Sequence, residues 1–340
     1  MGITLHKNAL IAFFVLVGVF SGNAQDPIFT QYNFSPLQIN PAFAGISKSP
    51  QFYANYRNQW PEFDTYTTYA VSYDQGFDRM NSGVGVYVMA DDAGDGTIRN
   101  TQVNVMYSYR VEIDRQSNIR FGLEAGWTNS RLNWSKLIFF DQLDPQFGAI
   151  GSNGVPFPSN ESPPLSANLN HSYLDVSAGI LYYNTEYFGG ISFKHINSPD
   201  YSYFGDNRNI NANLPLRTSI ILGYQYTVLR GNNAHYGNYI IPSLLYVRQG
   251  DFSQLNAGAT FNLNQLILGG HFRLSGENGD AVIANVGWRY NNIRFGYSYD
   301  FTISGLGFNV GGSHEIGISV ILANNSDRPS RYNDCFAVFR

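Results

Sequence analysis

The 340-residue chain has a single cysteine, Cys335, so no intramolecular disulfide can staple it. Charged residues make up only 14% of it, against the ~25% of a typical soluble domain. Basic residues do not dominate, with 21 Lys and Arg against 25 Asp and Glu, which argues against a nucleic-acid partner. Long apolar runs are missing except at the extreme N-terminus, and mean hydropathy is -0.21. A helical membrane protein would be more hydrophobic overall and would carry several runs of about 20 residues. What the chain does have is 24 Tyr, 25 Phe and 34 Gly.

The one apolar run has the form of a secretory signal. Lys7, with His6, gives a basic start, Ala9 to Phe20 an apolar stretch, and Gly22-Asn23-Ala24 small residues where a peptidase cuts. The expected cleavage lies between Ala24 and Gln25, making 1–24 a signal peptide; the alternative is an uncleaved anchor helix. No cysteine follows the run, so a lipoprotein is excluded. A secreted chain without disulfides needs another source of stability, and a closed hydrogen-bonded barrel is one.

Residues 293 to 303 show what the rest is built from. Ile293, Phe295, Tyr297, Tyr299, Phe301 and Ile303 alternate with Arg294, Gly296, Ser298, Asp300 and Thr302. In a strand these two sets occupy opposite faces. One face is too apolar for water and the other too charged for a dry core. Lipid on one side and a polar lumen on the other accommodate both.

The same period recurs after Gln51. It predicts an all-β transmembrane antiparallel outer-membrane β-barrel of about fourteen strands over 51–322. The strands fall at 51–60, 65–74, 82–90, 98–111, 119–128, 172–183, 186–195, 217–229, 238–248, 253–262, 265–274, 281–290, 293–303 and 313–322. With an even number, connections alternate between inside and outside. Tight ones (Asn184-Thr185, Leu263-Asn264, Asn291-Asn292) fall inside, and long ones, about 129–171 and 196–216, fall outside. Short periplasmic turns with longer outer loops are the bacterial pattern. Trp60, Tyr73, Trp127, Trp288 and Tyr290 crowd strand ends, as interfacial girdles do.

By parity, Arg57, Arg110, Glu112, Arg120, Glu124, Lys194, Arg248, Arg273, Arg289, Arg294, Asp300 and Glu315 face the lumen. Both signs are present, so the set reads either as a network filling the barrel or as a constriction selecting a solute. Asp91-Asp92-Ala93-Gly94-Asp95-Gly96 lacks the ligand spacing of a calcium loop and reads as a turn with glycines at positive φ. The histidines form no metal-binding pair, and no Gly-x-Ser-x-Gly elbow supports hydrolysis. Nothing calls for catalytic residues, a metal or a cofactor.

Residues 25–50 break the period. Pro27, Pro36, Pro41 and Pro50 prevent ladder pairing, yet the aromatic content is too high for a linker. This segment is expected to pack beneath or inside the barrel. The tail 323–340 is polar and ends Cys335-Phe336-Ala337-Val338-Phe339-Arg340, so the last predicted strand stops short of the terminus.

Several motifs occur together: Asp26-Pro27-Ile28-Phe29-Thr30-Gln31-Tyr32, Asn40-Pro41-Ala42-Phe43-Ala44-Gly45, Tyr56-Arg57-Asn58-Gln59-Trp60-Pro61 and Asp92-Ala93-Gly94. Tyr297-Ser298-Tyr299-Asp300 and Gly312-Ser313-His314-Glu315-Ile316 complete the set. In these the chain resembles the PorP/SprF family of type IX secretion outer-membrane proteins of the Bacteroidota, over about residues 25 to 322. The resemblance implies a non-enzymatic outer-membrane barrel. Its implied partners are other type IX components and a secreted cargo with a C-terminal sorting domain, such as a gliding adhesin. Outer-membrane lipid would surround it.

Cargo binding would need an exposed surface, and Phe139, Phe140, Phe147, Phe157, Tyr201, Tyr203 and Phe204 in the outer loops are the candidates. The same loops could instead fold over the lumen as a lid. A porin-like diffusion channel for a small solute is the alternative function.

Overall fold

The computed structural model describes residues 25–47, 49–63, 66–144, 148–150, 155–163, 169–203, 212–229, 238–276, 278–303, 311–322, 335, 336 and 339. The expected signal peptide with Ala24, and Phe147 and Phe204, lie outside the described residues, as does most of the tail.

One antiparallel sheet closes on itself. Its strands are β1 (Gln51–Gln59), β2 (Tyr66–Phe77), β3 (Ser82–Ala93), β4 (Ile98–Glu112), β5 (Asn118–Leu132), β6 (Asn170–Tyr183) and β7 (Tyr187–Lys194). Next comes β8, in two pieces, Arg217–Tyr224 and Tyr226–Leu229, broken at Gln225. The remaining strands are β9 (Asn238–Gln249), β10 (Phe252–Leu263), β11 (Leu266–Ser275), β12 (Asn278–Tyr290), β13 (Ile293–Thr302) and β14 (Ser313–Ile321). Counting the two pieces of β8 as one stave, the 15 segments make fourteen staves, each paired with its neighbours in sequence. Closure runs from Gln51 opposite Ile321 to Gln59 opposite Ser313. Among the described residues each stave pairs with both of its neighbours, the short piece Tyr226–Leu229 alone pairing on one side only, with β9.

The predicted strands match these staves within a few residues. Differences arise at the ends, where β2 to β5 extend past the apolar period as longer ribbons. Asn81, Asn264 and Asn291 turn the chain with positive φ at one end of the barrel, called the turn end below. The long connections after β5 and β7 lie at the other, the loop end. At that end Asp91, Asp92 and Ala93 close β3 and the chain turns after them, with Gly94 at φ 65° and Gly96 at φ 77°.

The outer wall is apolar. Val71, Val88, Val103, Leu123, Phe295, Tyr297 and Phe301 are exposed, whereas Arg294, Ser298 and Asp300 on the alternate positions of β13 are buried. They are buried because the lumen is full.

The segment before β1 fills it. Ser35 ends a short turn at Tyr32–Phe34, and Pro36 starts α1 (Pro36–Ile39). Pro41 starts another turn, whose Ala42 amide donates to the Asn40 side chain at 2.8 Å. Prolines suit these first helical positions because no N–H is needed there. Phe29, Phe34, Leu37, Ile39, Ala42 and Phe43 are almost fully buried.

Inward-facing glycines make room for this plug. A side chain at Gly122 would come within 2.2 Å of the Ala42 nitrogen, and one at Gly317 within 2.6 Å of the Phe34 ring. The described tail residues pack at the turn end. Cys335, Phe336 and Phe339 are buried, and the Phe336 ring lies 4.7 Å from Tyr183 and 5.6 Å from Phe188.

Candidate functional site

The polar lumen residues gather into clusters that hold the plug. In the first, Arg57 of β1 reaches Asp300 of β13 at 3.0 Å and Glu315 of β14 at 3.1 Å. Arg273 of β11 reaches Asp300 at 2.8 Å. Arg273 also lies 3.6 Å from Asp280 at the edge of the cluster, so two cations face two buried carboxylates and one partly exposed one. Thr30 of the plug sits at its centre. Its hydroxyl donates to Asp300 at 2.9 Å and accepts from Arg57 at 2.6 Å and Arg273 at 2.5 Å. Glu315 accepts the backbone amides of Thr30 and Gln31, both at 2.8 Å. Charge-assisted bonds of this kind are about twice as strong as neutral ones.

The second cluster lies near the loop end. The Asp26 carboxylate accepts from Arg217 at 3.2 Å and lies 2.8 Å from His195, whose other ring nitrogen is 3.0 Å from Asp175. Lys194 pairs with Glu124 at 3.0 Å beside them. Burial alone would raise the Asp26 carboxyl, but His195, Arg217 and Lys194 outweigh it and hold it well below the ordinary range. Burial likewise disfavours the His195 imidazolium, yet Asp26 and Asp175 lift its pKa to about 9. His195 is therefore charged at neutral pH and ties the plug to the wall.

Two further arginines hold plug and tail through backbone oxygens. Arg120 donates to the Gly45 carbonyl at 2.8 Å. Arg294 donates to the Phe339 carbonyl at 3.0 Å and lies over the Phe34 ring at 4.9 Å. Arg289 is buried on the same inner face.

Three of the parity assignments need correction. Arg248 faces outward and is exposed, because β9 is apolar on both faces. Its inner face, with Ile241, Leu245 and Val247, is part of the buried core, so polarity does not mark the lumen side there. Arg110 and Glu112 sit at the turn-end mouth, paired with each other at 3.2 Å, with the Glu112 side chain 61% exposed. Sequence reasoning missed Asp26, Thr30, His195 and Arg217. The first two lay in the aperiodic segment, and the other two sit at strand ends.

Among the loop aromatics, Phe140 is 90% exposed. Phe139 is half-buried against Trp134, with ring centres 5.2 Å apart. Phe157, Tyr201 and Tyr203 are half-buried, and the Tyr203 hydroxyl is 2.5 Å from that of Ser130. In the connection after β5, Ile138, Leu143, Ile150 and Val155 are exposed beside Phe140.

A family profile described as "Type IX secretion system membrane protein PorP/SprF" matches residues 21–320. The chain belongs to the PorP/SprF family. This closed barrel is thus a type IX secretion membrane protein of the outer membrane. No curated protein matches it in sequence.

Among solved structures, the PorP/SprF barrel is similar to the Pseudomonas putida toluene transporter TodX, at 10% identity and TM-score 0.47, covering 88% of this chain and 94% of that one. It is also similar to the CymD monoaromatic hydrocarbon channel, at 11% identity and TM-score 0.46, covering 89% and 95%. The KdgM porin is more distant, at 7% identity and TM-score 0.37, covering 80% and 99%. Likeness at this level has no bearing on what the PorP/SprF barrel carries.

Proposed function

We propose that this PorP/SprF barrel is a non-enzymatic surface platform that binds, delivers or anchors a secreted protein carrying a C-terminal sorting domain. The observation that carries this reading is the filled lumen. A solute channel needs a continuous water path, whereas here Phe29, Phe34, Leu37, Ile39 and Phe43 of the plug are almost fully buried inside the barrel.

With the interior occupied, the surface available to a large partner is the loop end. Ile138, Phe140, Leu143, Ile150 and Val155 stand out there, and exposed apolar side chains grouped in this way mark interaction sites. A gliding adhesin or similar cargo would dock on this rim, and other type IX components would assist delivery.

The test is deletion of residues 140–165 in a strain that displays its cargo. The barrel should remain in the outer membrane while the cargo is released to the medium. Unchanged retention removes these loops from the function. In planar bilayers the intact protein should be silent, and a steady large conductance would favour a porin.

A further inference from the structure

We propose that the outer face of the barrel across β2 to β5 holds the phosphorylated headgroup of a membrane lipid. The site is a cavity of about 470 Å³, within the usual range for small-molecule sites.

Four of its residues form a row. Thr67 of β2 is in register with Asp92 of β3, Asp92 with Arg99 of β4, and Arg99 with Arg131 of β5. All four have the parity of the lipid-facing wall. The segment after β5 folds back over the row, held by the Asn133 amide donating to the Thr97 carbonyl at 2.7 Å. That fold brings Lys136 onto Asp95 of the β3–β4 turn at 3.0 Å.

The charges do not balance. Arg99 is satisfied by Asp92 at 2.6 Å, and Lys136 by Asp95. Among the described residues the Arg131 guanidinium has no hydrogen-bond or ion-pair partner, although it lines the cavity. Three cations against two carboxylates leave one positive charge, together with donors that could close on a phosphate.

The wall below indicates which phosphate. One tier down, about 7 Å along the strands, the row is Tyr69, Ala90, Thr101 and Asn129. The next is Val71, Val88, Val103 and Trp127. Charge, then a mixed band, then an apolar wall follows the order of a lipid's headgroup, linkage and acyl chains. A free phosphate would have no use for the lower tiers.

The full-length barrel, purified in detergent, can be titrated by native mass spectrometry with diphosphorylated lipid A, its dephosphorylated form and inorganic phosphate. The diphosphorylated lipid should be retained in preference to the dephosphorylated one. Arg131→Gln with Lys136→Gln should weaken it about 25-fold, from about fivefold per cation, and Arg131→Lys should restore most of the Arg131 share. Heat-modifiable gel mobility checks that each variant is folded. Equal binding of the dephosphorylated lipid, displacement by equimolar inorganic phosphate, or unchanged affinity in the folded double variant would overturn the assignment. An equal loss in Arg248→Gln, an outward arginine outside this row, would show only diffuse attraction and would also overturn it.

Discussion

Replacing Asp300 with Asn should unseat the plug without breaking the barrel. Asp300 receives Arg57 at 3.0 Å, Arg273 at 2.8 Å and the Thr30 hydroxyl at 2.9 Å, all with side chains at most 7% exposed. The amide keeps the volume but removes the charge, leaving Arg57 with Glu315 and Arg273 with only the more distant, partly exposed Asp280 at 3.6 Å. Removing one partner of a buried ion pair costs about 3–5 kcal/mol. That cost falls on the plugged state, because water entering an unplugged lumen would solvate both arginines. A loss of about 4 kcal/mol raises the unplugged fraction roughly 10³-fold.

Two assays read this out: bilayer conductance, which should change from silence to intermittent opening, and protease cleavage within residues 25–47, which should accelerate. Thr30→Val removes the plug's side of the contact. Combined with Asp300→Asn it should be less than additive, by about 1–2 kcal/mol. A folded Asp300→Asn barrel as silent and protease-resistant as the parent would refute the clamp.

The His195 tie should weaken in base. Its pKa is raised from 6.5 to about 9, so its contribution is complete below 6.5 and is lost as pH rises through about 9. The shift corresponds to roughly 3 kcal/mol. The lowered Asp26 acts in the opposite sense, contributing above 3.8 and failing only in stronger acid. Protease protection of the plug should therefore fall between pH 7 and 9, and His195→Gln should abolish that dependence; a flat profile in the parent would contradict it. Arg248→Ala should change thermal stability by no more than about 0.5 kcal/mol, as exposed substitutions do. Arg294→Ala, which strips contacts from Ser319, Phe34 and Phe339, should cost several times more, and similar melting of the two would undo the inside–outside assignment.

Much of the wall was legible because a lipid-facing strand has a period of two and little else to satisfy. Ile293 to Thr302 needed no neighbours to be read. Arg248 was not legible, since β9 packs a protein-filled interior and both its faces are apolar. The plug's path was hidden for a related reason. Nothing local says that Thr30 meets Asp300, 270 residues away. A hint lay in the inward glycines: Gly122 and Gly317 stand where a strand would normally place a side chain, and each leaves space for another segment. The row from Thr67 to Arg131 was equally unreadable, because it exists only once four strands are in register.

The clamp also dictates an order of events. Thr30 precedes every stave in the chain, yet its partners Asp300 and Glu315 belong to the last two. A partly made chain would hold Arg57 without either carboxylate and a plug without this clamp. Closure of β1 against β14 encircles the plug and delivers Glu315 to Arg57 in the same step. The seam of the cylinder and this lock on its contents therefore form together.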